Sequence, residues 1–271
     1  MKAFEESARI RKGTLGKEHP AVAVSLVKCG ITFLLLHRFE DALWSFREAL
    51  SIRKHALGTQ HPSTARVYNN IGCVHVEFNE LSEARSAFEG ALDIQRNALC
   101  HDPESGPIRF GTAATLCNLG YLYRYRGEHK KAAQVLREAV DLQEAILGST
   151  HPTVCSTLDS LAEALMNSAK SEEAYDTYLS ILVRFRSIER EGSLRLLRAE
   201  AGLKYKMSIA AKQMNKRDCQ IKNLQQALQA VRSLVEPTNS AQLHASALET
   251  RIHSDLRETR EAMEASQRNW V

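Results

Sequence analysis

Proline is scarce in this chain, with 6 in 271 residues, and aromatic residues make up only 6% of it. So little proline leaves long stretches free to run as uninterrupted helix. The six cysteines, Cys29, Cys73, Cys100, Cys117, Cys155 and Cys219, never come closer than seventeen residues. That spacing rules out the close cysteine pairs of zinc and redox motifs, and it predicts reduced, small apolar side chains in a cytosolic or nuclear protein. No two histidines stand three or four residues apart. His151 and Cys155 have helix spacing, but a lone pair falls short of a zinc ligand set. There is no Gly-x-Gly-x-x-Gly, and no phosphate-binding Gly-Lys-Ser/Thr loop. Ser25–Lys28 spells Ser-x-x-Lys, yet it lies in an apolar helix with no Lys-Thr-Gly downstream. No charged n-region and apolar h-region open the chain, which predicts no export signal and a cytoplasmic protein. The most apolar stretch, Ala21–Leu36, has sixteen residues interrupted by Lys28, too short to span a bilayer. These absences argue against an enzyme, a cofactor, a metal centre and a membrane protein.

A returning phrase is what the chain does have. LGKEHP at Leu15–Pro20 recurs as LGTQHP at Leu57–Pro62 and LGSTHP at Leu147–Pro152, with a worn LCHDP at Leu99–Pro103. The first three starts are 42 residues apart and the fourth follows after 48. Repetition at this period predicts a solenoid. The phrase reads as punctuation between helices. Leu-Gly closes one helix, because glycine tolerates a left-handed residue there, and proline opens the next. His19, His61 and His151 belong to this phrase and are assigned a role in the turn. In the second repeat, one helix is expected from about Pro62 to Phe78 and the next from about Leu81 to Ala98.

Small residues recur in the first helix at Gly30, Gly72, Gly120 and Ala162, followed by Ala42, Ala84, Ala132 and Ala174. Phe46, Phe88, Leu136 and Tyr178 come next, then Ala49, Ala91, Ala139 and Ile181. Close approach of antiparallel helices requires small residues where backbones cross, and the large residue is expected to fill the gap between hairpins.

This pattern resembles the tetratricopeptide repeat, and the 42-residue form with LGxxHP between units looks like that of kinesin light chains. The resemblance covers Leu15–Ile188. It implies an all-α, right-handed superhelical solenoid of antiparallel helix pairs. Four repeats are expected at 15–56, 57–98, 99–146 and 147–188. Residues 1–14 align with the second helix of a repeat whose first helix is missing. A degenerate hairpin should follow at 189–236 and a capping helix at 237–271, after a break at Pro237–Ser240. The heptad segment of kinesin light chains has no counterpart, so that role is not carried over.

The resemblance also implies a groove lined by the first helix of each repeat, holding an extended segment of another protein. In repeat 2 it would offer Arg66, Asn69, Asn70, Cys73, Val76 and Glu77. Repeat 3 would offer Ala114, Cys117, Asn118, Tyr121, Arg124 and Tyr125, and repeat 4 Ser156, Asp159, Ser160, Glu163, Met166 and Asn167. The candidate groove residues are Arg66, Asn69, Asn70, Glu77, Asn118, Tyr121, Arg124, Tyr125, Asp159 and Glu163. Asn70 and Asn118 suit a peptide backbone, since the amide donates and accepts at once. The carboxylate clamp of some relatives is not reproduced, because Val27, Ile31, Ser156 and Ser160 stand at its positions.

The expected function is therefore a non-catalytic scaffold or adaptor. Two further expectations concern its partners. The apolar helix at Ala21–Leu36 calls for cover, from additional N-terminal repeats or from a second copy. Charge offers the alternative function: residues 184–271 carry 16 basic against 10 acidic side chains, so a basic hairpin could hold nucleic acid or an acidic partner. Nucleic acid is disfavoured, because within the basic stretch Arg190–Lys222 only Tyr205 could stack a base. The six extra residues near Cys100–Ile108 are expected to form one irregular loop.

Overall fold

The computed structural model describes residues 2–234 and 239–268, and side chains from 3 to 234 and from 247 to 263. The chain folds as two compact units, Met1–Ile146 and Leu147–Val271.

In the first unit, α1 (Lys2–Leu15) packs on α2 (Pro20–Leu35), and α2 pairs with α3 (Phe39–Leu57). The next pair is α4 (Pro62–Glu77) with α5 (Leu81–His101), followed by α6 (Gly106–Tyr125) and α7 (His129–Leu147). The second unit pairs α8 (Pro152–Asn167) with α9 (Ser171–Ile188) and α10 (Leu194–Gln213) with α11 (Arg217–Ser233), and α12 (Asn239–Arg268) packs on α11. No strand occurs among the described residues. The protein is all-α, built from consecutive antiparallel helix pairs. Pro237 and Thr238, half of the expected break, lie outside the described residues, as do the side chains of Asn239 and Ser240.

The repeated phrase does its work through three interactions. Gly16, Gly58 and Gly148 take φ of 90°, 89° and 81°, where a side chain would be strained. Proline occupies the first turn of α2, α4 and α8. The histidine before it is an N-cap: Nδ1 of His19, His61 and His151 accepts the amides of Ala21, Ser63 and Thr153 at 3.1, 3.1 and 3.2 Å. An unprotonated Nδ1 serves as serine or aspartate does elsewhere. This use occupies Nδ1 of His151.

The small–large spacing has a sharper cause than backbone crossing. A Cβ built on Gly30 would come within 2.5 Å of the Phe46 ring, and one on Gly72 within 2.5 Å of the Phe88 ring. Gly120 stands in the same relation to Leu136, at 2.6 Å. The large residue thus sits on the glycine of its own hairpin, and Phe46 shares one core cluster with Val67 and Ile71 of the next. Phe46 and Phe88 are sealed from solvent as a result.

The six extra residues also behave differently from expectation. Helix α5 runs on to His101 and α6 starts at Gly106, leaving only Asp102–Ser105 between helices. Pro107 falls in the first turn of α6, where its missing N–H costs nothing.

Candidate groove and its polar ladder

In the first unit, α2, α4 and α6 border a cleft of ≈ 400 Å³. Val27 and Ile31 of α2 form one side, and Ile108 and Phe110 of α6 form the other. Arg66, Asn69 and Asn70 reach it from α4. Phe110 is 55% exposed. Gln95 of α5 lines the cleft while being only 2% exposed, and its Oε1 has no hydrogen-bond partner among the described residues. Gly111 stands over it, where a Cβ would lie 3.2 Å from Gln95 Nε2.

Gln95 belongs to a ladder that sequence reasoning missed. Spaced as the phrase is spaced, Arg11, Arg53, Gln95, Gln143 and Phe185 occupy one position of each second helix. Arg11 Nη1 donates to the Ala21 carbonyl at 3.0 Å, and Arg53 Nη1 donates to that of Ser63. Burial, and then the charge of Arg66, push the Arg53 guanidinium below its ordinary value. Gln143 Nε2 donates to Cys117 Sγ at 3.4 Å. The ladder is legible only once the repeats are aligned on their histidine caps.

The expected groove residues divide by what they touch. Asn118 Nδ2 donates to Asn69 Oδ1 at 3.0 Å and to Cys73 Sγ at 3.5 Å. This pair joins α4 to α6 and uses part of the amide capacity expected for a ligand. Burial, aided by Glu77, pushes the Cys73 thiol up to about 11, so it stays protonated beside them. Asn70 and Arg66 keep their side chains without a hydrogen-bond partner among the described residues. Tyr121 and Tyr125 are 56% and 62% exposed, Arg124 is half-buried on the same helix, and Glu77 is exposed on α4.

Asp159 and Glu163 belong to the second unit and answer to a different partner. Lys206 Nζ lies 2.6 Å from Asp159 Oδ1 and 3.0 Å from Glu163 Oε1. Burial works against the lysine's charge, but the two carboxylates prevail and raise its pKa above the ordinary lysine value. The Lys206–Asp159 bond joins α10 to α8 at positions matching Asn118 and Asn69. One rung is amide to amide and the other ammonium to carboxylate.

The same accounting thins the basic hairpin. Lys212 pairs with Glu258 and Lys216 with Glu172, at 3.0 and 3.2 Å. Arg195 pairs with Glu189 and Arg186 with Glu200, while Arg217 donates to the Ala262 carbonyl. Much of the local positive charge is therefore matched within the chain.

Among the described residues no helix is long and apolar enough to cross a membrane, and no group of three metal-type side chains comes together. The cysteines form no disulfide; Cys29 and Cys155 are buried and Cys100 is exposed.

Helix pairing, glycine-seated aromatics and histidine caps define a tandem helical-repeat protein. Family models described as tetratricopeptide repeat match residues 2–55, 38–97 and 112–153. The chain belongs to the tetratricopeptide-repeat family. Among solved structures it is similar to a Podosopora anserina protein ascribed to the kinesin light chains, with nearly identical TPR-like repeats. That match has 18% identity and a TM-score of 0.66 over 81% of this chain and 99% of the other. BtubC (BKLC) from P. vanneervenii matches at 17% identity and TM-score 0.64, over 88% of this chain and 92% of that one. YrrB, a TPR protein with an unusual peptide-binding site, matches at 19% and 0.56, over 90% and 98%. No curated protein sequence matches the chain.

Proposed function

We propose that this protein is a non-catalytic, cytoplasmic adaptor that holds an extended segment of another protein in the cleft between α2, α4 and α6. One observation carries the reading: the cleft combines open apolar walls with polar groups that lack partners. Ile31 and Phe110 are exposed at 42% and 55%. Arg66 and Asn70 stand beside them, over the orphaned Oε1 of Gln95. A buried acceptor left unpaired is costly, and a ligand N–H would recover that loss. Asn70 is the amide free to donate and accept along a peptide backbone, whereas Asn118 acts by fixing Asn69. Exposed Tyr121 and Tyr125 extend the surface along α6 with rigid, amphipathic side chains suited to recognition. A peptide-binding relative of the same fold is consistent with this use.

Affinity capture from native lysate tests the proposal. Wild type is compared with Arg66→Ala/Asn70→Ala/Tyr121→Ala, once circular dichroism shows both to be folded. All three side chains are surface-accessible or partly so, and none is a helix cap. Protein partners held by wild type and released by the variant are the expected result. A partner set unchanged in the variant contradicts the proposal.

A further inference from the structure

The second unit contains a cleft of its own, ≈ 390 Å³, bounded by α8, α9 and α10. That volume lies within the range of small-molecule sites, about 300–1,000 Å³. Its walls are apolar: Cys155, Ile181 and Leu203 come from the core, and Phe185 adds a half-buried ring. Phe185 is where the ladder loses its polar arm. The matching Arg11 and Arg53 reach across to a carbonyl in the following helix, whereas Phe185 has no donor and it is the neighbouring Arg186 that crosses, to the Glu200 side chain of α10. Gly202 of α10 also lines the space, and a Cβ added there would meet nothing within 4 Å.

All but one of the cations at this cleft are paired. Lys206 is held by Asp159 and Glu163, and Arg195 is paired with Glu189 at 3.1 Å. Arg198 lines the same cleft, is exposed, and has no ion pair among the described residues. Arg198 is therefore the cation at this apolar cavity that has no carboxylate of its own, although Asp159, Glu163 and Glu189 match the three cations in number. The neighbouring surface offers little to a peptide backbone, because Asp159 replaces Asn69 and Ser160 replaces Asn70. Asp159 is already spent on Lys206.

We propose that this cleft binds a small free carboxylate with an apolar body. The body would lie against Phe185 and Leu203 with its carboxylate on Arg198. Apolar burial supplies the attraction and the guanidinium sets the orientation. The site goes beyond the adaptor reading and does not depend on it, since its residues belong to the other unit.

Isothermal titration of the full chain with decanoate, kept dilute enough not to self-associate, tests the idea. Decanol serves as the uncharged counterpart. Decanoate should bind one site per chain, about tenfold or more tighter than decanol, as loss of a charge-assisted hydrogen bond implies. Arg198→Gln should erase that preference while leaving decanol unchanged. Gly202→Leu should fill the cavity and abolish binding of both, with helicity and melting temperature preserved. The Asn70→Ala variant should bind decanoate as wild type does. No decanoate binding, equal binding of decanol, or binding that survives Gly202→Leu would each overturn the proposal. So would an acetylated tripeptide ending in leucine that binds more tightly than decanoate, which would assign the cleft to a polypeptide.

Discussion

At the residue scale, Gly72 is small because Phe88 occupies the place of its side chain. The Cβ of an alanine would fall 2.5 Å from a ring that is 1% exposed and cannot swing away. Gly72→Ala should therefore destabilise the first unit by about 1–3 kcal/mol, the usual range for overpacking. Gly202, in open space, should respond in the opposite sense, gaining up to about 1 kcal/mol of helix propensity as alanine. Urea denaturation of the two variants beside wild type checks the contrast. An unchanged or higher midpoint for Gly72→Ala would show that the ring is not what requires glycine. The spacing of small and large residues is visible in the sequence, but the partner of each is not. Periodicity places Phe88 on an inward face without saying which atoms it meets.

At the scale of elements, each helix pair is closed by a left-handed residue. His37, Asn79, Gly127, Ala169 and Asn215 take φ of 57°, 59°, 74°, 62° and 57° between first and second helices. Glycine, asparagine or histidine, the types that tolerate this conformation best, stand at four of the five turns, and only Ala169 gives no warning of it. The histidine caps are also legible, since the repeated phrase points to them directly. His61→Ala should cost about 1 kcal/mol in thermal or chemical unfolding, and His61→Asn should restore most of it. Equal stability of all three would mean the Nδ1 bond contributes nothing. The insertion at Cys100–Ile108 reads as a loop in sequence and is mostly helix. Asp102 ends α5 only after another turn, and Pro107 is compatible with a helix start as well as with irregular chain.

At the scale of the whole molecule, composition and repetition make the all-α class and the family legible. Site chemistry is legible only in part. Asn69, Asn118, Asp159 and Glu163 are identified by register, which places a side chain on a face but does not say what comes to meet it. Asn118 meets Asn69, and both carboxylates meet Lys206, a residue more than forty positions downstream. Gln95, Ile108 and Phe110 escape notice in sequence because the groove pattern draws on fixed positions of first helices, repeat by repeat. The C-terminal excess of positive charge likewise looks available until its ion pairs are traced. Sequence counts charges; the fold decides which are spent.

Whether the α2–α4–α6 cleft holds another polypeptide is tested most directly by photo-cross-linking in cells that make the protein. Benzoylphenylalanine would be placed at Asn70 and, separately, at exposed Asp93 of α5. A discrete cross-linked adduct is predicted from position 70, absent or much weaker from position 93, and identified as a second protein by mass spectrometry. No adduct at position 70, or equal yields at the two positions, would contradict peptide binding in this cleft.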